Sequence, residues 1–172
     1  MRPTRANDAP TTLPNVEQPD LAEIYVDLRT RALHWRDDEP GDGVRGLVTD
    51  IAYEEGLVTI ACLSDDSTSM FTNRGGGILG AGDYEQVAAA NRQLLTLTSQ
   101  LDNELPLAAD ESLPTPGSVR FSVLSASGLR SRFVPEEELT DSGHHLAPVY
   151  GALQTVVYEM GRIDDAGPTA DA

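Results

Sequence analysis

The chain has 172 residues, with 28 acidic residues against 12 basic ones, and a formal net charge of −16. Every basic residue is arginine, which excludes chemistry that needs a lysine amine: Schiff bases, a pyridoxal-phosphate anchor, and the lysine of a P-loop or kinase. A field of that sign repels phosphate backbones, so no nucleic-acid partner is expected, whereas a basic protein partner is.

The length suits one domain. Cys62 is the sole cysteine, so no intrachain disulfide forms and a reducing compartment is the simplest setting. No apolar run approaches the ~20 residues of a membrane helix, and none follows Arg2 and Arg5 as in a secretory signal. The expectation is a cytoplasmic protein with no membrane partner and no cofactor.

Residues 1–18, with Pro3, Pro10 and Pro14 among small polar residues, read as a disordered arm, and residues 163–172 as a disordered acidic tail. A single domain over 19–162 remains. From Asp20, the residues Leu21, Ile24, Leu28, Ala32 and Trp35 recur at steps of three and four, predicting a helix with that face inward. Asp38, Pro40, Gly41 and Gly43 end it. Arg45–Tyr53 alternates, placing Leu47, Thr49, Ile51 and Tyr53 on one side of a strand. Leu57–Leu63 is a near-continuous apolar run suited to a central strand. Glu54-Glu55-Gly56 and Ser64-Asp65-Asp66 are tight turns, and Ser67–Asn73 is a third strand, completing an antiparallel meander.

Arg74–Gly82 reads as a glycine-rich connector. Asp83 and Gln86 then match a capping box, opening a helix whose stripe is Val87, Ala90, Leu94, Leu97 and Leu101. Asn103–Gly117, with Pro106, Pro114 and Pro116, is a long loop. Val119, Phe121 and Val123 mark a fourth strand and Leu129–Val134 a fifth. Pro135-Glu136-Glu137-Glu138 begins an acidic loop. Pro148 opens a last helix with Leu153, Val156, Val157 and Met160 on its apolar face. The fold class is therefore α+β, in the order α-β-β-β-α-β-β-α, with helices packed on a five-stranded, mainly antiparallel sheet.

Gly75, Gly77 and Gly80 satisfy the G-x-G-x-x-G spacing, but a dinucleotide site needs a parallel βαβ unit, and Asp83 sets a negative charge where pyrophosphate would lie. A milder reading makes Arg74, Gly75, Gly76, Gly77 and Ser69 an anion- or ligand-binding loop, built from backbone N–H groups and one guanidinium. Its rival is a connector that turns the chain. His144 and His145 are metal candidates without an evident third ligand nearby. Ser67, Thr68 and Ser69 lack a nucleophile elbow, and Cys62 sits inside an apolar strand, so no catalytic residue is assigned.

Ser67-Thr68-Ser69-Met70-Phe71, running into Gly75-Gly76-Gly77-Ile78-Leu79-Gly80-Ala81-Gly82, resembles an uncharacterised family of small bacterial proteins. That family pairs a Ser/Thr-rich strand with a Gly-Gly-Gly-x-Ile-Gly-x-Gly-like segment and a following helix. The likeness covers about residues 60–100 and implies a bacterial protein, with Leu79 standing where isoleucine is usual; it implies no catalytic residue.

The functional expectation is a non-catalytic protein-binding module, an adaptor or an immunity-type inhibitor of a basic partner. The alternative is a small-molecule or phosphate-binding protein or enzyme using the Arg74–Gly82 loop. A homodimer, through a sheet edge or an apolar helix face, is a third option.

Overall fold

The middle of β1 (Val44–Tyr53) is buried on both faces, so the sheet must be covered above and below. The computed structural model describes residues 20–36, 43–101 and 103–163. One face is covered by α1 (Leu21–Leu33) and the 103–117 loop, the other by α2 (Glu85–Ser99) and α3 (Ala147–Gly161). The expected arm lies outside the described residues, as does the expected tail apart from Ile163.

The remaining strands are β2 (Gly56–Leu63), β3 (Thr68–Thr72), β4 (Gly77–Ile78), β5 (Ser118–Ser125) and β6 (Gly128–Pro135). They form one antiparallel sheet in the order β4-β3-β2-β1-β5-β6. The α+β class and the three-strand meander stand. The sheet, however, has six strands, not five, and the element order becomes α-β-β-β-β-α-β-β-α. The addition is β4, where the glycine segment folds back so that Gly77 pairs with Phe71 and Ile78 with Met70. Two residues are too few to carry an alternation, which is why the pattern reads there as connector alone.

The capping box is also corrected. Ala81–Asp83 forms a 3-10 turn, and Tyr84 occupies the N-cap of α2 with no side-chain capping bond. That turn runs so close to the β2–β3 turn that a Cβ on Gly82 would collide with the Asp66 carbonyl. The acidic stretch after β6 likewise winds into a 3-10 turn, Glu136–Thr140.

The larger core lies under α2 and α3, where Leu47, Ile60, Val119 and Phe121 meet Val87, Leu94, Leu153 and Val156. Each such burial contributes about 1.5–3 kcal/mol. The opposite face has only a small apolar cluster, Ala32, Leu33, Val48, Ala61 and Leu124. Polar residues occupy the rest of it.

Those polar residues set the rotation of α1. The stripe facing the sheet is Tyr25, Arg29, Ala32 and Leu33, while Leu21 and Ile24 are 51% and 39% exposed. The expected inward face of Leu21, Ile24, Leu28, Ala32 and Trp35 is thus turned by about a quarter of a revolution. The physical reason is Asp50 on β1, which is fully buried and takes Arg29 as its partner. An unpaired buried carboxylate costs more than two half-exposed aliphatic side chains.

Candidate functional site: a groove beside the first helix

A row of residues crosses the sheet beneath α1. Register places Phe71 opposite Thr59, Thr59 opposite Asp50, Asp50 opposite Arg120, and Arg120 opposite Phe133. Arg29 binds Asp50 with both ends of its fork, Nε to Oδ1 at 3.0 Å and Nη2 to Oδ2 at 2.8 Å. Thr59 donates its hydroxyl to Asp50 Oδ1 at 2.7 Å. With that proton committed, the Tyr25 hydroxyl is the donor in its 2.8 Å bond to Thr59 Oγ1. The Tyr25 ring then meets Phe71 edge-on, 5.8 Å between centroids.

The second guanidinium, Arg120, donates to the carbonyls of Asp110 and Ser112 and stacks over Phe133 at 5.1 Å. Burial, then the nearby charge of Arg29, presses its pKa below the usual arginine value. Arg29 Nη1 takes the intervening Glu111 carbonyl at 2.9 Å. The two arginines therefore hold three successive carbonyls and fix the 103–117 loop over β5 and β6. Sequence reading missed this network. Its signal was a charged residue in the middle of each of two apolar strands, Val48-Thr49-Asp50-Ile51 and Val119-Arg120-Phe121.

Fixing α1 in this rotation opens a groove of about 290 Å³ between the helix and the β3–β4 hairpin. Leu21, Ile24 and Leu28 form one wall, and Phe71, the Gly75–Gly77 backbone and Leu79 form the other. Leu79 is 60% exposed. The outer surface of α1 carries exposed Asp20, Glu23 and Asp27 against one arginine, Arg31, which Asp27 holds at 2.9 Å.

The structure distributes the sequence-predicted residues as follows. Gly75 and Gly76 form the tip of the β3–β4 hairpin with φ of 89° and 86°, in the left-handed region that favours glycine. The Gly75 N–H donates to the Thr72 carbonyl at 3.3 Å. Gly77 lies in β4. Ser69 Oγ accepts from the Gly80 N–H at 3.2 Å. Arg74 is exposed and borders a separate shallow depression with Tyr53 and Leu57.

His144 and His145 stack on each other at 4.7 Å, just ahead of α3. His145 Nε2 is 3.2 Å from Arg132 Nη1 on β6, and His144 Nε2 is 3.9 Å from Glu138. Since β4 and β6 are opposite edges of the sheet, the histidines and the glycine hairpin are not brought together. Five strand spacings separate these edges, roughly 24 Å. Among the described residues no group of three or more His, Cys, Asp or Glu is placed to hold a metal ion, and no helix is long and apolar enough to cross a membrane. Cys62 is buried, and that burial pushes its thiol pKa up to about 12.

No family model, curated protein or solved structure matches the chain.

Proposed function

We propose that the protein is a non-catalytic protein-binding module that receives a partner's apolar segment, flanked by arginine or lysine, in the groove between α1 and the β3–β4 hairpin. The observation that carries this reading is the exposure of Leu21, Ile24 and Leu79 around one groove on a chain of net charge −16. Apolar side chains lining one concavity, with carboxylates on the neighbouring helix surface, supply burial for affinity and charge for orientation. An adaptor and an inhibitor of a basic protein use such a surface in the same way.

Selection of a random peptide display library on the purified chain tests it. Enriched peptides should pair two or three apolar residues with basic ones, and salt should weaken them. Ile24→Asp, at an exposed position, should cost about tenfold or more in affinity while leaving the fold intact. Acidic peptides, or binding indifferent to Ile24→Asp, would remove the reading.

A second reading, anion binding at the β3–β4 hairpin, draws on Arg74, whose guanidinium has no hydrogen-bond or ion-pair partner among the described residues. Titration with inorganic phosphate, followed through the backbone amides of Gly75–Gly77, tests it. Saturable shifts that vanish in Arg74→Gln support it, and their absence rejects it.

A further inference from the structure

A second concavity lies at the other end of α1, away from the groove. It is enclosed by the C-terminal end of the helix, the start of β1 and the β5–β6 turn, and has a volume of about 240 Å³. Its apolar lining comes from Leu33, Leu124 and Leu129, with Trp35 beside them. Its charged lining is mainly cationic, Arg36 and Arg45, on a molecule with more than twice as many acidic as basic residues. Arg45 Nε is inaccessible to solvent, and among the described residues it has no hydrogen-bond partner and the Arg45 guanidinium pairs with nothing. Among the described residues, Arg36 uses one N–H on the Trp35 carbonyl at 3.2 Å, and the rest of its fork has no partner. The carboxylate at the rim, Glu111, is already engaged by His34 Nε2 at 2.7 Å.

A buried N–H without an acceptor is costly, and a guanidinium costs more than a neutral donor. Its matching acceptor is a carboxylate or phosphate oxygen, which a planar fork binds in two places. The volume falls below the ~300–1,000 Å³ of drug-sized ligand sites. From these observations we propose that this cavity is a binding site for a small organic anion. The anionic head meets Arg45 and Arg36, and a compact apolar body lies against Trp35 and the leucines. The site is independent of the protein-binding groove, and either assignment can fail alone.

Trp35 is the only tryptophan of the chain and reports on the site directly. The experiment is titration of the full chain with benzoate and with phenyl phosphate, read by tryptophan emission, with benzyl alcohol as the uncharged probe. A saturable change with either anion, with a Kd of about 1 mM or tighter, and none with benzyl alcohol is the expected result. Arg45→Gln should weaken it by about tenfold or more, the exposed Arg36→Gln should weaken it severalfold, and Arg162→Gln, at the end of α3 on the other face of the sheet, should leave it unchanged. Circular dichroism verifies folding of each variant, and the Arg36 variant keeps the test decisive if the Arg45 variant unfolds. An equal response to benzyl alcohol, or equal binding by both cavity variants, overturns the proposal. So does silence toward both anions.

Discussion

Asp50 is the most constrained side chain on the α1 face. Both its oxygens accept charge-assisted bonds from Arg29, Oδ1 also accepts from Thr59, and no part of the residue reaches solvent. Buried ion pairs add little net stability when intact, but breaking one strands the partner's charge. Asp50→Ala leaves two guanidiniums, Arg29 and Arg120, in the same dry layer with no carboxylate between them. The expected loss is about 3–5 kcal/mol in urea unfolding. Thr59→Val, which removes the bonds to Asp50 and from Tyr25 but leaves the pair, should cost less, about 2 kcal/mol. Equal losses for the two variants would show that the pair contributes no more than a hydroxyl does. The same residue explains why α1 was misread. Periodicity counts apolar residues, and here the polar stripe faces in because a buried acid on another element demands it.

Elements show the complementary lesson in the glycines. Gly82 sits in a 3-10 turn whose backbone lies against Asp66, so Gly82→Ala drives a Cβ into a carbonyl that cannot swing away. Gly151 lies inside α3 with open space where a Cβ would go. Gly82→Ala should therefore destabilise by about 1–3 kcal/mol, and Gly151→Ala should stabilise by about 0.5–1 kcal/mol. Thermal melts of the two variants check both signs. Strands were legible almost to the residue because alternation survives in β1 and β5, and because Glu54-Glu55 and Ser125–Gly128 announce their turns. Gly77–Ile78 escaped because its pairing depends on backbone fit to Phe71 and Met70, which leaves no trace in side-chain pattern. The groove escaped for a related reason. Leu21 and Ile24 look like core residues in sequence, and only the rotation of α1 exposes them.

For the whole molecule, the tyrosines on its two faces set a limit on the alkaline side. Burial raises the phenol pKa of Tyr25 on the inner side of α1. On the other face, burial first and then the 2.6 Å bond to Glu136 raise that of Tyr150. A raised phenol pKa means that the unfolded chain loses its proton first as pH rises. The associated stability is thus fully present below pH 10, the ordinary tyrosine value, and declines above it. The urea midpoint should begin to fall near pH 9, where the unfolded Cys62 thiol starts to ionise, and fall more steeply above pH 10, and Tyr150→Phe should make that steeper part shallower; an unchanged slope would remove Tyr150 as a contributor. At this scale the α+β class, the meander and the acidity are visible in composition and spacing, while the two-sided cover of the sheet is not, since part of one layer is loop. That loop also shields an edge: Ala108 N–H bonds the Leu129 carbonyl at 2.9 Å, and Ser131 N–H bonds that of Pro106 at 3.0 Å. Above the sheet, what Arg29 and Arg120 grasp is main chain, the carbonyls of residues 110, 111 and 112. Every amino acid, proline included, carries such an oxygen. The attachment is therefore largely indifferent to spelling, and the solvent-facing letters of this stretch are free to be rewritten, by drift or by an engineer grafting a recognition sequence, while the covering layer stays anchored.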